Sequence, residues 1–142
     1  MSTVRQLLAE KPTAVFTVGA EDPVRTAIQL MAEHHIGALP VMQGSELAGI
    51  VSERDYARKV VLLGRNSAET PVWQIMSTPV TTVGPDDTVH HCMRLMTELR
   101  VRHLPVIDDG ALAGIVSIGD CVRMVIELQQ QEIDDLKRYI AS

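Results

Sequence analysis

The feature that most constrains the fold of this chain is an internal repeat. When the sequence is shifted by 65 positions, residues 17–60 align with residues 82–125 without a gap, and 20 of the 44 aligned positions are identical. The longest identical stretch, Leu-Ala-Gly-Ile-Val-Ser, stands at 47–52 and again at 112–117. Each copy has about 60 residues, too few to bury its own sheet well, so the two copies are expected to pack on each other.

Each copy predicts the same order of elements, α-β-α-β-β-α. Short apolar helices are predicted at 4–8 and 72–76, and β-branched strands at 15–18 and 80–83. Asp22 and Asp87 are expected to cap the next helix, whose apolar residues recur at helical spacing. Apolar runs joined by turn residues then predict hairpins at 39–51 and 104–116. The fold class is therefore α/β, with two repeats packed about a pseudo-twofold axis and clefts between them.

The predicted boundaries are 1–64 for the first repeat, 65–126 for the second and 127–142 for a C-terminal helical extension. After Asp120 the last helix is expected to continue to Tyr139. Its apolar positions have spacings of seven, three and four residues: Ile126, Ile133, Leu136 and Ile140. This stripe either folds back on its own repeat or forms the seam of a homodimer, and we favour the dimer.

Composition excludes several classes of function. Hydrophobic residues make up 46% of the chain and charged residues 22%, as in a soluble globular protein, and the net charge is −5. This acidity disfavours nucleic-acid binding, apart from a local patch at Arg100 and Arg102. The N-terminal residues lack the apolar stretch of a signal peptide, and the aliphatic runs are too short to span a membrane. With only two cysteines, a reducing compartment is expected, and we predict a cytoplasmic location.

A second recurring element is Gly-Ile-Val-Ser-x-x-Asp, at Gly49 to Asp55 and at Gly114 to Asp120. The serine is expected to cap a helix, which places the aspartate in the first turn, where free N–H groups favour anions. Two interpretations follow. The serine and aspartate either only cap the helix, or the aspartate accepts hydrogen bonds from a ribose diol while the serine and the helix amides face a phosphate.

The hairpins predict where positive charge lies beside this element. In an antiparallel hairpin the second strand ends beside the start of the first, so Ser117 is expected near Arg102 and His103, a cationic pair suited to phosphate. Gly37 and Ala38 stand at the matching positions of the first copy, so the two clefts are not equivalent. There the charge comes instead from the second helix, through Arg54, Arg58 and Lys59. Of these, Lys59 is expected on a solvated face.

The tandem pattern resembles a pair of CBS domains. The resemblance rests on Gly-Ala-Leu-Pro-Val at 37–41 and Arg-His-Leu-Pro-Val at 102–106, each followed by Gly-Ile-Val-Ser-x-x-Asp, and it covers about residues 4 to 126. It implies a disc-like module that binds an adenosine-containing ligand, namely AMP, ADP, ATP, S-adenosylmethionine or NAD. It also implies dimerisation into a larger disc.

The resemblance further implies two ligand sites, each with adenine in an apolar slot and ribose on the aspartate of the other repeat. Site A would comprise Val15, Phe16, Arg102, His103, Ile115, Ser117 and Asp120. Site B would comprise Val80, Thr81, Ala38, Ile50, Ser52, Arg54 and Asp55, with Arg102 as a further approach to its phosphates. Phe16 either stacks on the adenine or partly fills the slot.

Catalysis is disfavoured, because the sequence has no nucleophile elbow, no P-loop and no zinc-protease helix. The pairs His34-His35 and His90-His91 do not form a metal clamp, since adjacent helical residues do not face each other, and Cys121 is expected to be a buried thiol. No metal and no catalytic cofactor are predicted. The leading hypothesis is a stand-alone adenine-nucleotide sensor, without catalysis, that regulates a partner protein not identified by the sequence. The alternative is an interaction or scaffold protein with vestigial clefts and a dimerising C-terminal helix.

Overall fold

The structure, a computed structural model, describes residues 2–11 and 14–141. The helices are α1 (Val4–Ala9), α2 (Val24–His34), α3 (Glu53–Tyr56), α4 (Val89–Leu99) and α5 (Ile118–Ala141). α3 continues as a π-helical segment over Ala57–Val61, and Val72–Gln74 form a single 3-10 turn. The strands are β1 (Val18–Gly19), β2 (Ala38–Gln43), β3 (Glu46–Ser52), β4 (His103–Asp108) and β5 (Ala111–Ser117).

The two hairpins confirm the predicted repeat. β2 pairs antiparallel with β3, and β4 pairs antiparallel with β5 in the same register. Ala38 lies opposite Ser52, and His103 lies opposite Ser117, as the hairpin argument predicts. In each hairpin, the serine that ends the second strand therefore lies beside the residue that begins the first strand.

The strands predicted at 15–18 and 80–83 are wrong over most of their length. β1 covers only Val18 and Gly19, parallel to β2, and in the second repeat Val83 makes a single parallel bridge to Val106. The cause is the proline of each Leu-Pro-Val sequence. To extend the second ladder by one step, Pro105 would have to donate its backbone N–H to Thr81, and proline has no N–H. Pro40 ends the first ladder in the same way.

The predicted helix caps are also wrong. Asp22 accepts a hydrogen bond from the backbone N–H of Gly19 at 2.8 Å, and Asp87 accepts one from Gly84 at 2.7 Å. Both aspartates therefore close the turn before the helix. The residue that caps α4 is Thr88, whose hydroxyl accepts a hydrogen bond from the N–H of His91.

The two repeats exchange their first helices. Val4 and Leu7 of α1 are buried in the core of the second repeat, whereas Val72 and Ile75 are buried in the core of the first. Backbone hydrogen bonds fix both docking sites, from Val4 to Asp87 at 2.9 Å and from Val72 to Asp22 at 2.8 Å. The exchange is reciprocal, as a pseudo-twofold relation between the repeats requires.

α5 extends well beyond the core that anchors it. Cys121 and Met124 are buried in the second repeat, whereas every residue from 126 to 141 is exposed. At 1.5 Å per residue this exposed part is about 24 Å long. The described chain therefore consists of two interlocked repeats with one projecting helix.

Candidate ligand-binding site

A cleft of about 300 Å³ opens where the two repeats meet. On one side the cleft is lined by the start of β2, the end of β3 and the first turn of α3, all from the first repeat, and by Ser77 from the segment that follows. On the other side it is lined by residues 100–103 of the second repeat. The contact is close: a Cβ added to Gly37 would lie 3.4 Å from Cε1 of His103. A ligand in this cleft would touch both repeats.

Four arginines line the cleft: Arg54, Arg58, Arg100 and Arg102. All four are exposed, and within the described chain none of their guanidinium groups makes an ion pair or a hydrogen bond. The cleft has only two carboxylates, on Glu53 and Asp55. A concentration of positive charge in a chain whose net charge is −5 makes this cleft a site for an anion.

The Ser-x-x-Asp element of the first repeat forms a capping box at the start of α3. The hydroxyl of Ser52 accepts a hydrogen bond from the N–H of Asp55, and Oδ2 of Asp55 accepts one from the N–H of Ser52 at 2.9 Å. Oδ1 of Asp55 lies 3.4 Å from Nζ of Lys59. The side chain of Lys59 is 40% exposed and does not line the cleft, but its ammonium group also donates a hydrogen bond to the carbonyl of Ile75. Asp55 thus has one oxygen committed to the cap and one weakly paired.

His103 lies between the cleft and the second Ser-x-x-Asp element. Burial lowers the pKa of its imidazole; Asp120 acts in the opposite direction, while Lys11 and Arg102 lower the pKa further. His103 is therefore a neutral imidazole at pH 7 and offers a hydrogen bond rather than the positive charge expected from the sequence. The positive charge of this part of the cleft comes from Arg102 and its neighbour Arg100.

In the second repeat the equivalent aspartate already holds a cation. Nζ of Lys11 lies 2.7 Å from Oδ2 of Asp120 and donates a second hydrogen bond to the carbonyl of Ile115 at 2.9 Å. Burial alone would raise the pKa of Asp120, but hydrogen bonds from Lys11 and Ser117 and the charge of Lys11 lower it below its usual range. The element that is weakly paired in the first repeat is therefore tightly ion-paired in the second.

The structure brings part of each predicted site into one cleft. Ala38, Ile50, Ser52, Arg54 and Asp55 of site B line it together with Arg102 and His103 of site A. The lining residues do not include Val80 or Thr81. Ser77, which the sequence analysis did not single out, reaches the cleft because it pairs with Ile50 across an isolated antiparallel bridge.

The remaining residues of site A lie around Lys11 or near the first repeat. Ile115 and Asp120 contact Lys11 directly, and Ser117 caps α5. The ring of Phe16 stacks on His34, with ring centroids 3.6 Å apart and an angle of 13° between the planes, and Val15 is exposed. One face of Phe16 is thus already covered by a side chain of its own repeat.

Other candidate chemistry is not supported by geometry. No three histidine, cysteine, aspartate or glutamate side chains among the described residues lie close enough to share a metal ion. Cys92 and Cys121 are both buried, and burial raises the pKa of their thiols to about 11 and about 12. Within residues 2–11 and 14–141, no helix has the length and apolar character needed to cross a membrane.

Comparison with known proteins gives consistent relatives. CBSX3, a mitochondrial CBS domain-containing protein of Arabidopsis thaliana, is 44% identical over 84% of this chain, which spans 61% of the length of CBSX3. The CBS domain-containing protein YhcV of Bacillus subtilis is 34% identical, with 84% of this chain and 83% of YhcV aligned. A solved structure of a protein with CBS domains from Burkholderia ambifaria is 53% identical and superposes with a TM-score of 0.86, covering 89% of this chain and 95% of that one.

The family match extends over both repeats. A family model described as the CBS domain matches residues 4–62 and again residues 72–127. These two segments contain both hairpins, both Ser-x-x-Asp elements and the buried residues that form the two cores. The chain therefore belongs to the CBS domain family, and its two repeats form one CBS pair.

Proposed function

We propose that this CBS pair is a regulatory module that binds an adenine nucleotide in the cleft between the repeats and performs no catalysis of its own. Paired CBS domains commonly serve as regulatory, ligand-binding modules, and the family resemblance points to AMP, ADP, ATP or NAD. The ligand's phosphates would lie among the arginines, and its ribose would lie at Asp55. The regulated partner would be a separate protein.

The observation that carries this proposal is a set of four guanidinium groups on one cleft that have no ion-pair partner among residues 2–11 and 14–141. An arginine in a surface ion-pair network is already neutralised, whereas these four leave the cleft with more positive than negative charge. Guanidinium groups bind phosphate oxygens through two parallel hydrogen bonds. The volume of about 300 Å³ lies at the lower end of the range found for small-molecule sites.

Binding in this cleft would couple the two repeats. Arg54 and Arg58 belong to the first repeat, whereas Arg100 and Arg102 belong to the second, directly before β4. An anion between the two pairs would relieve the repulsion between them and hold the repeats in one relative position. A partner protein that recognises this position would then sense nucleotide concentration.

Isothermal titration calorimetry with AMP, ADP, ATP and NAD tests the proposal. We expect saturable binding of at least one of them, which weakens as salt is raised. Arg102→Gln and Arg54→Gln each remove one charge-assisted contact and are expected to weaken binding by about ten- to hundredfold. Arg94→Gln is the matched control, because Arg94 is an exposed arginine on α4 that does not line the cleft, and it should leave the affinity unchanged.

Two results would count against the proposal. Failure of all four nucleotides to bind would favour the alternative of an interaction protein with vestigial clefts. Binding that Arg94→Gln weakens as much as Arg102→Gln would show that general surface charge, and not this cleft, attracts the nucleotide.

A further inference from the structure

The projecting part of α5 carries a heptad repeat on a face that the second repeat leaves open. Three isoleucines are spaced seven residues apart: Ile126, Ile133 and Ile140. The residues four positions before them are Val122, Gln129 and Leu136. These are the a and d positions of a coiled coil. The five apolar members are between 39% and 73% exposed.

The geometry of the helix explains why this face stays open. Cys121 and Met124 point into the second repeat. With 3.6 residues per turn, the a and d residues are centred about 130°, roughly a third of a turn, away from that buried side. Side-chain hydrogen bonds in the exposed segment include those from Gln130 to Asp134, from Gln131 to Asp135 and from Arg138 to Asp135, all at positions outside the a/d seam. The helix therefore has one apolar stripe, with polar pairs on other faces.

We infer that α5 forms a parallel, in-register, two-stranded coiled coil with α5 of a second copy of this chain. β-branched residues at a combined with leucine at d favour two strands, which fits the three isoleucines and Leu136. An isolated amphipathic helix of this length is marginal in water, so a partner helix supplies the stability that the second repeat does not.

The charges beside the seam indicate that the partner helix is α5 of a second copy and that the two helices run parallel. Glu132 stands at a g position and Lys137 at the following e position. In a parallel dimer, the g residue of one helix faces this e residue of the other helix. Two such pairs form, one on each side of the seam. In an antiparallel dimer g faces g and e faces e, so Glu132 and Lys137 would not meet. Gln129 meets its own copy only in the parallel, in-register arrangement, which fixes the alignment.

Sedimentation of the full chain without nucleotide is the first test, and it is independent of ligand binding. The expected mass is twice the 15.6 kDa of one chain. Ile133→Asp places two carboxylates in the seam and should convert the dimer to monomers of 15.6 kDa. Because Ile133 is 47% exposed, its replacement should leave the fold of the repeats intact, which circular dichroism checks.

Disulfide trapping tests the direction. Two Ile133→Cys chains would bring their introduced thiols together at the seam, within the reach of a disulfide, whereas Asp135→Cys places them on the outside of the helix as the matched control. The native thiols of Cys92 and Cys121 are buried, with pKa values of about 11 and about 12, and should not compete. Lys137→Glu should weaken the dimer by about tenfold, and Glu132→Lys combined with Lys137→Glu should restore it.

The inference is overturned if the chain is monomeric at micromolar concentration, which would assign the stripe to a different protein. It is also overturned if Ile133→Asp stays dimeric, or if Ile133→Cys is oxidised to a dimer no faster than Asp135→Cys. Failure of the charge-reversed double variant to regain affinity would exclude the parallel direction.

Discussion

Replacing Lys11 with methionine should destabilise the protein even though Lys11 lies outside both repeated motifs. Its ammonium group donates hydrogen bonds to Oδ2 of Asp120 at 2.7 Å and to the carbonyl of Ile115 at 2.9 Å. The side chains of Lys11 and Asp120 are only 24% and 13% exposed, so water screens this pair weakly. Methionine keeps the aliphatic part of the side chain and removes only the charge and the donors.

The expected loss in the free energy of unfolding is about 2 kcal/mol at pH 7, since a hydrogen bond between partly buried charged groups contributes about 1.5–3 kcal/mol. For a chain of this size that corresponds to a decrease in Tm of roughly 6 °C. Arg5→Met is the matched control. Arg5 pairs with Asp86 at 3.3 Å, but these side chains are 61% and 90% exposed, so the expected loss is about 0.5 kcal/mol or less.

The pH dependence gives the same prediction a second test. The pKa of Asp120 is lowered in the folded state below the value of 3.8 for a free aspartate. The ion pair therefore contributes its full stability above pH 3.8 and loses it as the pH falls through the folded-state pKa of Asp120. The difference between wild type and Lys11→Met should be constant near neutral pH and should narrow in acid.

Urea unfolding followed by circular dichroism between pH 7 and pH 3 measures both effects. A loss of stability in Lys11→Met no larger than that in Arg5→Met would contradict a buried, stabilising ion pair at Asp120. A difference between wild type and Lys11→Met that is the same in acid as at neutral pH would contradict it too, because the pair would then not depend on an ionised Asp120.

Three further predictions follow from the packing. Leu7→Ala should lower the free energy of unfolding by about 2–5 kcal/mol in chemical denaturation, because Leu7 is 1% exposed and fills the core of the opposite repeat; a loss near zero would contradict the exchange. Gly49→Ala should weaken nucleotide binding and lower Tm, because the added Cβ would lie 2.6 Å from Sδ of Met76 and 2.9 Å from the carbonyl oxygen of Ser77; unchanged calorimetry and Tm would refute this. Cys121 should react with iodoacetamide only as fast as the protein unfolds, since its thiol is buried with a pKa of about 12, and rapid alkylation of the native protein would disagree.

Local patterns predicted the hairpins well. Apolar runs joined by turn residues predicted both hairpins. The geometry of an antiparallel hairpin then predicted that His103 lies near Ser117, as observed. Both serines also cap their helices as predicted. The length of the first strand of each repeat was overestimated. The β-branched composition indicated a strand, but a strand also needs a neighbour whose backbone N–H groups can donate hydrogen bonds to it. The two Leu-Pro-Val sequences show that this neighbour is limited, because Pro40 and Pro105 have no backbone N–H with which to extend the ladder.

Long-range placement could not be predicted from these patterns. The helices at 4–9 and 72–74 have similar apolar residues, so nothing local indicates that each packs on the other repeat's core. The ion pair between Lys11 and Asp120 joins residues 109 positions apart, and Lys11 belongs to no motif. Arg100 was considered only as part of a nucleic-acid patch, and the structure places it in the same cleft as Arg54. Only the docking of one repeat on the other brings these charges together.

The most direct test of the proposed function is a crystal structure of the protein grown with ATP. We expect one nucleotide between the repeats, with its phosphates on the guanidinium groups of Arg54, Arg58, Arg100 and Arg102 and its ribose hydroxyls on Oδ1 of Asp55. Crystals in which this cleft holds no nucleotide, while Asp55 only caps α3, would contradict it.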